Sequence, residues 1–591
     1  MQNSIGLKKI GQLPGQMHIA QLHYHLAQAG VRVVIENTID AIMQYFKKQK
    51  LNIFVMADAW AAPKPKDLSI DRNFEKMRNV RIKTVHMEEL DYDLKQYKSK
   101  KQFLQKAEEL KEKIIKKIPL RECSTRSPFI LHCHGLPLGK NPKLSCAIKL
   151  LAEECEKLKS PIWILNQVHD FSENSRPEML RNWQFCTGSR DVGFAASIAY
   201  PIAGNIFYAT INSRDAENLI MAGIPKERIF FLPDSIDTDF FGAKAITTKK
   251  RFRKQLLSML DKYSKDNKYF FDERKRILLS PLKAMRRKNN AESILFLSAL
   301  NSLRNEYQLV ITLEAHSGGD VAYENKIKRF VRKHGLPVVI GPGMTVISDS
   351  EERERRRGKI TKFSMVDLFA ISKAVLTTSI IEGFGFAFHE GWLTGTPVIG
   401  RRLPYVCRDF EKNGLKLRHM YKKMWVAIDW LHNGEKRIIR LFEEDVNELR
   451  TKQGLPKLSK NGVEREVKKT KFFRIKKHKC IDFKELNIEM QLEIIKNLLK
   501  DEKQMRLLLC LNPVIRRTAK LIEKKPVRLI SHNKGVVKQH YSLKAKARRL
   551  KKIYLYGNAK YLRKIKKRKI DNRKVIYKYI DLDYIHPLTV R

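Results

Sequence analysis

The sequence predicts an α/β protein of two doubly wound parallel-sheet domains followed by a basic, mainly helical C-terminal extension. Three observations carry that expectation. Short apolar runs alternate with longer stretches whose apolar residues recur at helical spacing, the rhythm of β/α units. Gly, Pro and Asn punctuate the ends of those runs, where turns need them. With 591 residues the chain has room for two large domains and appendages. The expected division is a first domain over 1–245, a polar hinge over 246–275, a second domain over 276–430 and the extension over 431–591.

In the first domain, strands are expected at 19–24, 52–57, 80–85, 128–134, 161–168, 206–212 and 228–233. After the first strand, Gly30 opens a helical stretch. Between the third and fourth, 94–118 reads as an amphipathic helix. Leu94, Tyr97, Leu104, Ala107, Leu110, Ile114 and Ile118 lie on its apolar side, and lysines from Lys95 to Lys117 fill much of the rest. Such a helix is either a solvated outer helix or a surface for anionic lipid. Ligands of doubly wound sheets bind beyond the carboxyl ends of the strands. The polar residues there are His132 and His134, then His169 and Asp170, then Asn212, Arg214 and Asp215. The polar run 169–176, with Asp170, Glu173 and Arg176, reads as surface for a second substrate.

The second domain opens with a strand at 276–281 and a basic loop carrying Lys283, Arg286, Arg287 and Lys288. Strands at 307–313 and 337–341 follow, and 349–359 reads as a charged, mobile loop. The most informative stretch is 377–400, TTSIIEGFGFAFHEGWLTGTPVIG. It reads as the end of a strand, a turn at Glu382-Gly383-Phe384-Gly385, a helix stopping at Gly395 and a short strand at 397–399. A strand, a glycine turn and a helix start present unpaired N–H groups to a phosphate. Glu382 and Glu390 frame that device, and carboxylates beside a phosphate suit sugar hydroxyls.

Ser379, Glu382, Gly383, Phe384, Gly385, Glu390, Gly395, Pro397, Val398 and Gly400 resemble the donor-site signature of retaining GT-B glycosyltransferases of the family 4 type. The resemblance spans roughly residues 17–410, strongly in the second half and loosely in the first. It implies two Rossmann-like domains facing each other across a cleft, the first on the acceptor side and the second holding a nucleotide-diphosphate sugar. It implies that Lys283, Lys288 and the turn Gly383–Gly385 grip the diphosphate, with Lys283 where family members carry Arg and Arg286 or Arg287 as substitutes. Gly30 falls where a Gly-Gly pair lies against the donor, Ala29 replacing the first glycine. Glu390 would hold ribose hydroxyls, and Glu382 would orient the sugar. A histidine sits over that sugar in such enzymes; His134 matches best, with His169 as competitor. Front-face attack assisted by the donor phosphate would need no protein nucleophile, no cofactor and no metal.

Lys plus Arg exceeds Asp plus Glu by 117 − 63 = 54, so an anionic partner is expected. An anionic membrane surface and an acceptor that is a sugar, lipid-linked or a small polar molecule fit that charge. Nucleic acid is not expected: the tail over 543–579 interleaves lysines with Tyr554, Tyr556, Tyr561, Tyr577 and Tyr579, but no nucleic-acid motif accompanies them. An inactive GT-B scaffold serving as a basic nucleic-acid- or membrane-binding module is the alternative, supported by the departures at Ala29 and Lys283. The eight cysteines form no CxxC pair and read as buried thiols of a reducing compartment. With no apolar run of ~18 residues and no apolar leader, the protein is expected in the cytoplasm, peripheral to the inner membrane face.

Overall fold

A computed structural model describes residues 12–26, 30–58, 77–174, 177–189, 191–315, 318–348, 353–565 and 569–587. The chain divides into two units. The first is Met1–Ser235 with Lys452–Leu455 and Tyr541–Ile580; the second is Ile236–Thr451 with Pro456–His540 and Asp581–Arg591.

The first unit is a seven-stranded parallel sheet. Its strands are β1 (Gln16–Leu22), β2 (Lys50–Ala57), β3 (Val80–His86), β4 (Phe129–His134), β5 (Ile162–Val168), β6 (Ile206–Thr210) and β7 (Ile229–Phe231). Their spatial order is β3-β2-β1-β4-β5-β6-β7, so the winding reverses between β1 and β4. Strands buried on both faces need near-continuous apolar runs, and β5 is buried along its whole length. β4 is equally buried although two of its six residues, His132 and His134, are histidines.

The helix expected over 94–118 is observed over Lys100–Lys117. Its start is delayed because the Asp93 carboxylate accepts from the Lys95 N–H and Ser99 caps the helix by accepting from Gln102. Leu94, expected on the apolar side, is exposed. The basic face is partly neutralised: Lys106 pairs with Glu109, Lys113 with Glu89, and buried Lys111 with Glu108, Glu112 and Glu154.

The last long helix, Leu543–Lys560, belongs to the first unit, where Leu543, Ala547, Leu550, Ile553 and Tyr554 join the core beneath β1, β4 and β5. Gly557 allows the closest approach, since a Cβ there would lie 2.6 Å from the Trp163 ring. The Trp163 indole N–H donates to Asn558 Oδ1 at 2.8 Å. Tyr554, Tyr561 and Tyr579 are buried, Tyr556 is half-buried and Tyr577 is open to solvent. Most of the tail's tyrosines therefore fill a core and are not a stacking platform for bases.

The second unit holds a five-stranded parallel sheet of β8 (Arg276–Lys283), β9 (Tyr307–Leu313), β10 (Val338–Ile340), β13 (Ser372–Thr377) and β14 (Val398–Gly400). Between β10 and β13 a two-stranded hairpin forms from β11 (Glu354–Arg356) and β12 (Lys359–Lys362). It occupies part of the stretch expected as a mobile loop; residues 349–352 lie outside the described residues. The main sheet runs β10-β9-β8-β13-β14, reversing between β8 and β13. The stretch expected as a hinge is largely the helix Lys250–Asp266, whose Leu256 and Leu260 are buried. The Tyr263 hydroxyl at its end donates to the Ile340 carbonyl at 2.9 Å.

A small antiparallel sheet of β15 (Trp425–Ala427), β16 (Phe473–Ile475) and β17 (His478–Asp482) continues the second unit. Arg401 fastens it down: its guanidinium forms bidentate pairs with Glu292, at 2.8 and 2.6 Å, and with Asp482, at 2.9 and 2.7 Å. All three side chains are buried. All eight cysteines are free thiols, six of them buried, and among the described residues no helix is long and apolar enough to cross a membrane.

Candidate functional site

In an open parallel sheet the ligand crevice lies beyond the strand ends, where the winding reverses. In the second unit that point is flanked by the loop after β8 and the loop after β13. The two loops are stitched together. The Thr378 hydroxyl lies 3.1 Å from both the Lys288 and Asn289 carbonyls, and the Ile380 N–H donates to the Arg287 carbonyl at 2.8 Å. Asn289 turns the first loop with a left-handed φ of 56°.

The stitching brings Lys288 and Glu382 together. The Lys288 ammonium lies 2.5 Å from Glu382 Oε1, which also accepts from the Ser379 hydroxyl at 2.6 Å. Both members of the pair are buried. Burial alone would raise the Glu382 carboxyl. The Lys288 and Arg287 charges, with the hydrogen bonds from Lys288 and Ser379, overcome that and hold it below its ordinary value. Burial and the neighbouring Arg287 depress the Lys283 ammonium, with Asp320 opposing. Arg287 thus acts on both Lys283 and Glu382.

Arg286, a candidate for the diphosphate grip, is committed elsewhere. Its buried guanidinium donates to the Leu486 carbonyl at 2.6 Å, the Lys484 carbonyl at 3.0 Å and Asn289 Oδ1 at 3.2 Å. It buttresses the loop from behind, because the extension folds back to supply those carbonyls. The guanidinium beside Lys283 and Glu382 is that of Arg287.

The turn after Glu382 needs glycine at Gly385, which has φ +81° and whose Cβ would lie 2.9 Å from the Phe388 ring. Phe384 turns its ring into the core against His389 and Phe410, so the turn offers its backbone and not that side chain. Glu390 stands half-buried on the short helix Ala387–Leu393, and burial pushes its carboxyl up to about 8.

The corresponding reversal in the first unit has a different chemistry. Gly30 begins the helix Gly30–Tyr45; its neighbour Ala29 lies outside the described residues, as does Arg176. His132, His134 and His169 form a stack, with ring centroids 4.5 Å and 5.3 Å apart. His134 Nε2 donates to Gln21 Oε1 at 2.8 Å, which leaves its Nδ1 to accept from His169 Nε2 at 3.0 Å. His132 Nε2 lies 2.9 Å from Gln167 Oε1. Burial is the first cause that depresses all three imidazoles, His132 to about 3.

The better match by sequence, His134, is thus the inner member of the stack, fully buried with both ring nitrogens bonded. It is His169 that reaches a cavity of about 90 Å³, lined also by His23, His25, Arg32, Tyr92 and Asp170. Glu173, expected on the acceptor side, is buried instead. It accepts from the Tyr200 hydroxyl at 2.8 Å and from Asn572 Nδ2 at 3.0 Å, anchoring the C-terminal segment. Lys546, whose buried charge bears on the histidines, left no sign in the sequence: it is one lysine among many on its helix.

Among the described residues one carboxylate group has metal-ligand spacing, Glu108, Glu112 and Glu154. The Lys111 ammonium already sits among them.

No family model matches the chain. The mannosylglucosyl-3-phosphoglycerate synthase of Petrotoga mobilis is 26% identical over 469 residues, 79% of each chain. Among solved structures, Anabaena HepE in complex with UDP is 12% identical, covering 91% of this chain and 99% of its own with a TM-score of 0.44. The catalytic domain of starch synthase IV from Arabidopsis thaliana, bound to ADP and acarbose, is 10% identical over 93% and 100%, with a TM-score of 0.46. The two Rossmann-like sheets, the Glu382–Glu390 motif in its strand–turn–helix setting and the synthase relative mark this chain as an enzyme of the glycosyltransferase class with a GT-B-type fold.

Proposed function

We propose that the protein is a retaining hexosyltransferase that takes its sugar from a nucleotide-diphosphate donor bound at the β8/β13 reversal of the second unit. The observation that carries this reading is the buried Lys288–Glu382–Ser379 cluster. An ammonium held by a carboxylate at a strand-end crevice is a preset counter-charge for a leaving diphosphate, whose negative charge grows as the glycosidic bond breaks. Lys283 and Arg287 add positive charge beside it. Glu390, largely protonated near neutrality, offers both a donor and an acceptor to ribose hydroxyls. Glu382 orients the sugar, and the Gly383–Gly385 turn supplies N–H groups.

In the first unit, His169 and Asp170 line the cavity and are read as acceptor-side groups. The relative's name carries a 3-phosphoglycerate group. An acceptor bearing phosphate and carboxylate also suits a net charge of +54, so a glucosyl phosphoglycerate is the first acceptor to try. Metal-independent transfer is part of the proposal, since the cationic side chains occupy the place a divalent ion would take beside the diphosphate.

The test is a thermal-shift screen against UDP, GDP, ADP and their sugars, followed by NMR of the product anomer. A donor at a hundred times its Kd should stabilise the protein by ~2.7 kcal/mol, and an α-linked donor should give an α-linked product. Absence of a shift with every nucleotide would overturn the donor site; an inverted anomer would overturn retention.

A further inference from the structure

The helix Leu543–Lys560 carries a side chain that its packing role does not explain. Lys546 is fully buried in the first unit, and among the described residues its Nζ has no hydrogen-bond partner. It comes from the helix that covers the sheet face on which Gln21, His132, His134 and Gln167 sit, as their same-face neighbours Ile19, Ile130 and Leu165 share a core cluster with Leu543, Ala547 and Leu550. Those four residues are joined in pairs by hydrogen bonds of 2.8 and 2.9 Å, and the His134–His169 bond of 3.0 Å extends the series to the cavity. A lone ammonium in a dry interior is costly, and methionine would fill the same space, so its charge needs a reason.

We propose that Lys546 is a positioning residue: its buried charge repels an added proton from the His132–His134–His169 stack and so keeps His169 neutral, with its lone pair on Nδ1. The bond series fixes that tautomer, because Gln21 Oε1 accepts from the His134 Nε2–H and His134 Nδ1 accepts from the His169 Nε2–H. Burial is the larger cause of the neutral state, and the Lys546 charge acts on all three rings. Among the described residues, other ionisable groups near the stack are His23 and His25 following β1, Asp170 beside His169, Asp234 after β7 and Arg549 on the lysine's own helix. The helix Gly30–Tyr45 adds Glu36, already paired with Arg32, and Asp40; the helix Ser213–Ala222 adds Asp215. Asp234 is buried and its charge attracts Lys546, opposing the burial that brings the ammonium down to about 8. Lys546 therefore remains charged below that pH.

The inference rests on the proposed transfer reaction for its purpose but not for its test. Histidine-selective isotope labelling of the full chain gives the titration midpoints of the imidazoles. Lys546→Met should raise the midpoints of His132, His134 and His169 together by about one pH unit, the order of effect expected from removing one buried charge that acts on all three rings. Lys546→Arg should restore them, and buried His389 and half-buried His419 in the second unit should not move. If transfer activity is found, the acid limb of its pH profile should rise with the same midpoints. A purely structural lysine would change stability and leave midpoints and tautomer signals in place, and that result overturns the proposal. If Lys546→Met does not fold, Lys546→Gln, which keeps a donor without the charge, carries the same expectation. Loss of the donor site with shifted midpoints would sink the proposed function alone.

Discussion

The two sheets are wound alike, yet they treat buried polarity in opposite ways. At its reversal, the second unit buries charges and pairs them: Lys288 with Glu382, and further back Arg401 with Glu292 and Asp482. The first unit buries imidazoles, held neutral, and passes hydrogen bonds from one to the next. A paired charge is an electrostatic tool that is ready before substrate arrives, suited to a polyanionic donor. A neutral imidazole can accept or donate one proton at a fixed nitrogen, suited to an alcohol. The contrast predicts that removing one partner will be felt in proportion to the charge left behind.

The largest effect is expected at Arg401. Arg401→Ala leaves two carboxylates buried without a cation and should lower stability by ~3–5 kcal/mol, read as a drop in the urea midpoint of the second unit. Replacing Arg401, Glu292 and Asp482 together by apolar residues of similar volume should recover most of that loss. If the single and triple variants are equally unstable, the charges are not what the residues contribute.

Next in size is Lys288. Lys288→Ala removes a charge-assisted contact worth about 1.5–3 kcal/mol, so nucleotide-sugar affinity by calorimetry should fall roughly ten- to over a hundredfold. Unchanged affinity would remove the second unit's side of the comparison.

Glu390 gives a pH test. Its folded-state carboxyl is raised from 4.5 to about 8 by burial, so the folded chain holds a proton that the unfolded chain has released. The contribution is fully present below 4.5 and is lost as pH rises through about 8. Between those limits the wild type should lose stability relative to Glu390→Gln, measured as the difference of their urea midpoints at each pH. A difference that stays flat would place Glu390 in water.

The smallest effect separates the basic neighbours. Lys283→Arg should leave donor affinity unchanged or slightly improved, since a guanidinium offers a planar pair of donors where the ammonium offers one point charge. Arg287→Ala should weaken donor binding more than Arg286→Ala, whose guanidinium serves backbone carbonyls.

What was legible in the sequence follows from distance along the chain. The motif from Ser379 to Gly400 is local: its glycines, its proline and its two glutamates sit within a few turns, and backbone geometry fixes their relation. The strand ends at His134 and His169 were legible for the same reason, as apolar runs that stop on a polar residue. Which histidine meets the cavity was not, because that depends on Gln21 from another strand. Arg286 and Arg287 are adjacent, and no sequence rule says which faces the crevice; the carbonyls of Lys484 and Leu486, some two hundred residues on, take the first and leave the second.

The α/β class, the reversal-point motif and the basic character can be read along the chain, because periodicity, turn chemistry and charge are properties of neighbouring residues. Tertiary structure decided that Glu173 is an anchor, that most of the tail's tyrosines are core, and that Lys546 is buried on the helix covering the histidine face of the first sheet. Each of these depends on a partner far along the chain, and burial changes what a side chain does: the same lysine that is a solvated charge on an exposed helix becomes, without water, a field acting on its neighbours.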